Sequence, residues 1–233
     1  MTNDNAPDRA TKIVLLFLVL VPILFNAFML TPELRSVPSR NDDRWHYMFV
    51  QRASAALTAG DNPLDFWVPD VGLGFPQFFY YHHAPHLAVV ALHRMLFRQV
   101  SLLRLFNLVR YLLLVLFPLT VYWSARKMDF SIGAAAVAAA FASLLSGRSH
   151  VQGFDYDSFV WSGNGMYTQL WAMHLFVLSI ASVYRAMSKG IGYLTAIGFS
   201  SMLMLSHLLY AYMAALSVFA LLVATVIHEH RRS

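Results

Sequence analysis

From residue 190 to residue 227 the chain contains no Asp, Glu, Lys or Arg. At about 1.5 Å per residue, one helix of that length would far exceed the ~30 Å hydrocarbon core of a bilayer, so the segment must turn back once. His207, preceded by Ser206, is the best place for the turn, although no Gly or Pro marks it closely. Four further apolar runs, residues 13–30, 105–125, 130–146 and 166–184, are of membrane-crossing length. The first follows Arg9 and Lys12 as a secretory signal would. The Thr31-Pro32-Glu33 that ends it lacks a small-x-small cleavage pattern, so it reads as an uncleaved helix.

Composition agrees with a membrane protein. The chain is 58% hydrophobic and 12% charged, with mean hydropathy +0.53, whereas a soluble domain carries roughly 25% charged residues. Without cysteine it has neither disulfides nor thiolate metal ligands. The formal charge of +5 and the pI near 9.6 come from Arg and Lys that mostly flank apolar runs. That is a topology signal, and nucleic acid is not an expected partner.

One segment is ambiguous. Residues 84–97 are apolar but short, and His86, His93 and Arg94 interrupt them, which suits an interfacial helix better than a span. If they do not cross, Arg9, Lys12, Arg126, Lys127, Arg185, Lys189, Arg231 and Arg232 all fall on the cytoplasmic side, as the positive-inside rule requires. The expectation is therefore an all-α polytopic bundle of about six spans with both termini cytoplasmic. Residues 1–233 then form a single transmembrane domain, with outer loop one at 31–103 and outer loop two at 147–165.

Loop one is too long to be a bare connection. The stretch from Asp42 to Leu57 reads as an amphipathic helix, with Trp45, Phe49, Ala53 and Ala56 at helical spacing. Asp42 and Asp43 lie four and three residues before His46, so one face presents carboxylate and imidazole together. They form either a proton acceptor with its partner or two metal ligands; alternatively, Asn41 caps the helix and the acids complement its dipole. Farther on come Gly72, Gly74 and Pro76, then dense aromatics with His82, His83 and His86. Those histidines are either metal ligands or a hydrogen-bonded interfacial cluster. Arg94, Arg98, Arg104 and Arg110 follow near the membrane boundary, as phosphate forks or as side chains snorkelling to headgroups.

Loop two contains Asp155-Tyr156-Asp157, whose carboxylates offer oxygen ligands to Mg²⁺ or Mn²⁺ or are simply solvated. A transporter would need a polar pathway, and the spans offer only Asn107, Arg110 and His174 for one. Haem is not expected, because His174 is the one histidine well inside a predicted span.

A larger pattern joins these pieces: a first helix, a long loop opening on Asp42-Asp43, then Gly74-Phe-Pro-Gln-Phe-Phe-Tyr-Tyr81, an Ala-rich helix, and Ser146-Gly-Arg-Ser-His-Val-Gln-Gly-Phe-Asp155-Tyr-Asp157. It resembles the amino-terminal half of GT-C superfamily glycosyltransferases. The loop-two run is similar to the oligosaccharyltransferase catalytic-subunit pattern, and the whole chain resembles the bacterial membrane proteins called 6-pyruvoyl-tetrahydropterin synthase-related. Such families continue into further helices and a soluble domain, so the resemblance implies that these 233 residues are the amino-terminal part of a longer protein. It implies a bacterial inner-membrane enzyme that takes a sugar from a polyprenyl-phosphate-linked donor at the extracytoplasmic face, among membrane lipids. Asp42 or Asp43 would be base or metal ligand, and His46 would position the base. Asp155 and Asp157, with Asp43, would hold a divalent cation, Mg or Mn. Arg94, Arg98 and Arg148 would contact the donor phosphate, and His82, His83, His86 and His207 would line the same cavity.

Overall fold

The computed structural model describes residues 8–35, 42–69, 72–142 and 167–230. The described chain is mostly helical. Four helices are long and apolar enough to cross a bilayer and mark the chain as an integral membrane protein: α1 (Arg9–Met29), α5 (Leu102–Lys127), α7 (Tyr167–Lys189) and α9 (Leu208–His230). α1 starts at Asp8, whose carboxylate accepts from the Thr11 N–H at 2.8 Å. α5 starts at Ser101, whose hydroxyl accepts from the Arg104 N–H at 3.4 Å, and ends on Arg126 and Lys127, which complement its dipole.

Two apolar helices are shorter: α6 (Ile132–Ala142) and α8 (Tyr193–Ser206). The expected span at 130–146 is thus described as helix to Ala142, and residues 143–146 lie outside the described part. The expected turn at His207 is present. His207 is extended, with φ −164° and ψ 109°, between α8 and α9. One such residue interrupts the helical ladder, so neither Gly nor Pro is needed.

Loop one folds onto the bundle as α2 (Asp43–Ala59), a hairpin of β1 (Trp67–Val68) and β2 (Phe75–Pro76), the single turn α3 (Gln77–Tyr80) and α4 (Ala84–Met95). Gly74, at φ +86°, lets β2 close on Trp67; a Cβ there would lie 2.2 Å from the indole nitrogen. Pro76 precedes α3 and Pro85 sits in the first turn of α4, where a missing N–H costs nothing. α2 buries Asp43, His46, Phe49, Val50 and Ala53. The expected stripe is confirmed at Phe49 and Ala53, whereas Trp45 is exposed, because polar partners claim the adjoining strip of the helix.

α1 packs on α5 and α6, α5 on α7, and α7 on α8 and α9, while α4 bridges α2, α5 and α8. Inside the bundle His174 ties α7 to α5. Its Nε2 donates to the Leu113 carbonyl at 2.7 Å, and its Nδ1 accepts from the Thr120 hydroxyl at 2.8 Å. The loop-one layer has its own core, in which Phe49, Val50, Val68, Phe78, Val89 and Val90 meet Leu105, Phe106 and Tyr167 from the starts of α5 and α7. The Phe106 and Tyr167 rings lie 4.7 Å apart. α5 and α7 therefore begin at the same end of the bundle and run parallel.

Candidate functional site

At that loop-one end a buried polar cluster sits beneath α2 and α4. Arg110, in the third turn of α5, donates to Glu33 in the 3-10 turn that follows α1 (Thr31–Leu34) and lies 2.8 Å from an Asp43 carboxylate oxygen. Asp43 is 3% exposed and Arg110 6%. Burial raises the Asp43 pKa to about 7; the opposing pull of Arg110 is outweighed, and the negative charges of Glu33 and Asp42 push the same way as burial. A carboxyl so placed exchanges its proton near neutrality.

One turn along α2, His46 Nδ1 and His86 Nε2 of α4 are 2.9 Å apart, sharing one proton between them. Both rings are buried, 2% and 0% exposed. Burial, reinforced by the neighbouring charges of His82, His207 and Arg110, drives the His46 pKa down to about 3. Burial, then the His46 charge, holds His86 well below its ordinary value. The pair is neutral at physiological pH. His46 stands among Tyr81 and Tyr167 at ring separations of 5.7 and 5.4 Å, and its Nε2 has no hydrogen-bond partner among the described residues. The Tyr167 hydroxyl donates to the Pro85 carbonyl at 3.1 Å, which fixes α4 against α7. Both amide atoms of buried Gln169 also lack partners among the described residues. Buried polar atoms left unpaired are costly, and they gather where a ligand can use them.

The sequence-predicted residues separate under this geometry. Asp43, His46 and His86 come together. Asp42 is the residue before α2, half-buried, with no capping hydrogen bond from its side chain; Asn41, expected to cap, lies outside the described residues. His82 stacks on His207 at 5.2 Å and touches Tyr81 at 4.6 Å, so the α8–α9 turn does reach the loop-one histidines. His83 precedes α4 and lies 6.0 Å from the Phe78 ring. Arg94 and Arg98 both donate to the Thr58 hydroxyl, at 3.2 and 3.4 Å; Arg94 is about 12 Å along α4 from His86. Arg148, Asp155 and Asp157 lie outside the described residues.

Among the described residues no group of three His, Cys, Asp or Glu side chains could hold a metal ion, and Asp43 already faces a guanidinium. Of the three cation ligands that the resemblance implies, Asp43 alone is among the described residues. Sequence reasoning missed Glu33, Tyr167 and Gln169 and gave Arg110 to phosphate or headgroups, whereas it pairs with Glu33 and Asp43. The available signal was an arginine well inside an apolar run, where an unpaired charge is too costly to leave. Compared with family models, with curated proteins and with solved structures, the chain finds no match.

Proposed function

We propose that the protein is a GT-C-like membrane glycosyltransferase with Asp43 as its general base, moving a sugar from a polyprenyl-phosphate-linked donor to an acceptor on the loop-one side of the membrane. The observation that carries this reading is the buried Asp43 carboxyl, held by Arg110 with its pKa near 7. That is the range in which a base combines adequate ionisation with adequate proton affinity at neutral pH. Asp43 accepts the proton of the acceptor hydroxyl or amide as that group attacks the anomeric carbon. The bond from that carbon to the donor phosphate oxygen breaks, and the phosphate leaves with the electron pair. Protonated Asp43 leaves Arg110 and Glu33 as a neutral pair, so the buried site does not accumulate charge. His46 and His86 hold the α2–α4 wall beside the base. A divalent cation on Asp155 and Asp157, with Arg148 on the donor phosphate, enters through the resemblance alone, and no step here depends on it.

The same proposal gives six crossings, both termini cytoplasmic, in a bacterial inner membrane. Its support is the parallel course of α5 and α7 and the return of α8 from Gly192 to His207 beside His82.

The test uses proteoliposomes and a labelled polyprenyl-phosphate sugar. Asp43→Asn is expected to lower transfer by about 10²- to 10⁴-fold while donor binding persists; transfer at the wild-type rate would remove Asp43 as the base. A second reading, a non-catalytic GT-C-like protein that binds lipid or glycan, is favoured by the 3% exposure of Asp43. It predicts donor binding with no transfer by the wild-type protein.

A further inference from the structure

The bundle end opposite the Asp43 cluster has a cavity of about 250 Å³, set between the last turns of α5 and α7 and the first turn of α8. Lys127 and Arg185 both line it, and among the described residues neither has an acidic partner. The nearest acid in sequence, Asp129, is already bound by Lys189 at 2.6 Å. The Lys127 ammonium sits 3.8 Å from the centre of the Trp123 ring, which steadies it at the mouth.

α8 contributes positive potential without a cap. It begins after Gly192, which has no side chain to bond the first-turn N–H groups, and that turn contains no acid. Gly192 is at φ +84°, and a Cβ there would meet nothing within 4 Å, so the approach to the helix end is open. The independent observation is Ser182. It lines the same cavity, it is 3% exposed, and among the described residues its Oγ has no hydrogen-bond partner. Topology alone accounts for cations at a membrane boundary. It does not account for a buried hydroxyl kept unpaired beside them.

We infer that this cavity is a phosphate-binding site, in which Lys127, Arg185, the α8 N-terminus and the Ser182 hydroxyl together hold a phosphate group. The group has the charge for two cations and enough acceptor oxygens for the hydroxyl and the helix N–H donors. It comes from a phospholipid headgroup or from a small phosphorylated solute. The inference goes beyond the glycosyl-transfer reading and does not depend on it, since the two sites lie at opposite ends of α7.

The experiment takes the full chain in detergent. One arm titrates inorganic phosphate and follows tryptophan fluorescence. The other measures, by native mass spectrometry, retention of phosphatidylglycerol against uncharged diacylglycerol. Saturable phosphate binding supports a site open to free phosphate; selective retention of phosphatidylglycerol without phosphate saturation supports a lipid headgroup site. In either case Lys127→Gln/Arg185→Gln is expected to weaken binding about tenfold or more, with Lys127→Arg/Arg185→Lys retaining most of it. Ser182→Ala is expected to weaken binding severalfold without lowering the unfolding temperature, because the lost hydroxyl has no partner among the described residues. Absence of saturable binding of either probe, or wild-type binding by both the Gln pair and Ser182→Ala, overturns the inference.

Discussion

Arg110 shows how much a single buried charge organises. It reaches back to Glu33 after α1 and across to Asp43 on α2, joining α5 to a stretch of the chain far earlier in sequence. Removing the guanidinium leaves two carboxylates without it, and breaking a buried pair in this way costs on the order of 3–5 kcal/mol. Arg110→Met is therefore expected to lower stability by about that much in detergent unfolding, and adding Asp43→Asn should recover part of the loss. The acid–base behaviour follows from the same burial. His46, lowered from 6.5 to about 3, contributes stability that is present above pH 6.5 and lost as pH falls toward 3; His86 acts in the same direction. Asp43, raised from 3.8 to about 7, contributes stability present below pH 3.8 and lost as pH rises through 7. Acidification below pH 6.5 should thus lower the unfolding midpoint, and the fall should be steeper in Asp43→Asn, where the opposing slope is gone. At this scale the sequence was partly legible. The three-residue spacing of Asp43 and His46 put them on one face, but the His46–His86 pair spans 40 residues and rests on how α4 folds back, which no local pattern encodes.

At the scale of elements, apolar runs located the long helices and the His207 turn well, because the bilayer dictates length and polarity over many residues at once. The face of α2 was harder to read. An apolar stripe through Trp45 gave way to one carrying Asp43 and His46, since hydrophobic periodicity cannot foresee that polar groups will find buried partners in Arg110 and His86. The same limit concealed the role of His174. It lies inside α7 with both ring nitrogens engaged by α5, so it acts as a cross-brace between two parallel helices. His174→Leu is expected to destabilise the protein by about 1–3 kcal/mol, because the Thr120 hydroxyl and the Leu113 carbonyl lose a partner in a dry environment. Thermal unfolding in detergent checks this. Were His174→Leu as stable as the parent, the brace would contribute nothing.

For the whole molecule, α5 and α7 begin together under the loop-one layer, and their last turns, at Lys127 and Arg185, line one cavity at the other end. In the six-crossing proposal, α6 begins the return from the end of α5 toward the loop-one layer. α8 does the same between α7 and α9, although its 14 residues reach only about 21 Å against a hydrocarbon core of ~30 Å. α8 ends on His207, which stacks on His82 of the loop-one layer, so the proposed crossing returns the chain to the Asp43 side. The absence of cysteine makes this directly testable. Leu73→Cys and Asp61→Cys, both exposed in loop one, should react with a membrane-impermeant maleimide in intact cells. Phe130→Cys and Ser188→Cys, exposed at the opposite end, should react only after permeabilisation. A bundle with four crossings at α1, α5, α7 and α9 alone would place the start of α7 on the side where α5 ends, so Ser188→Cys would be labelled in intact cells together with Leu73→Cys. That single result would remove the six-crossing arrangement, and with it the separation of the Asp43 cluster and the phosphate cavity onto opposite faces of the membrane.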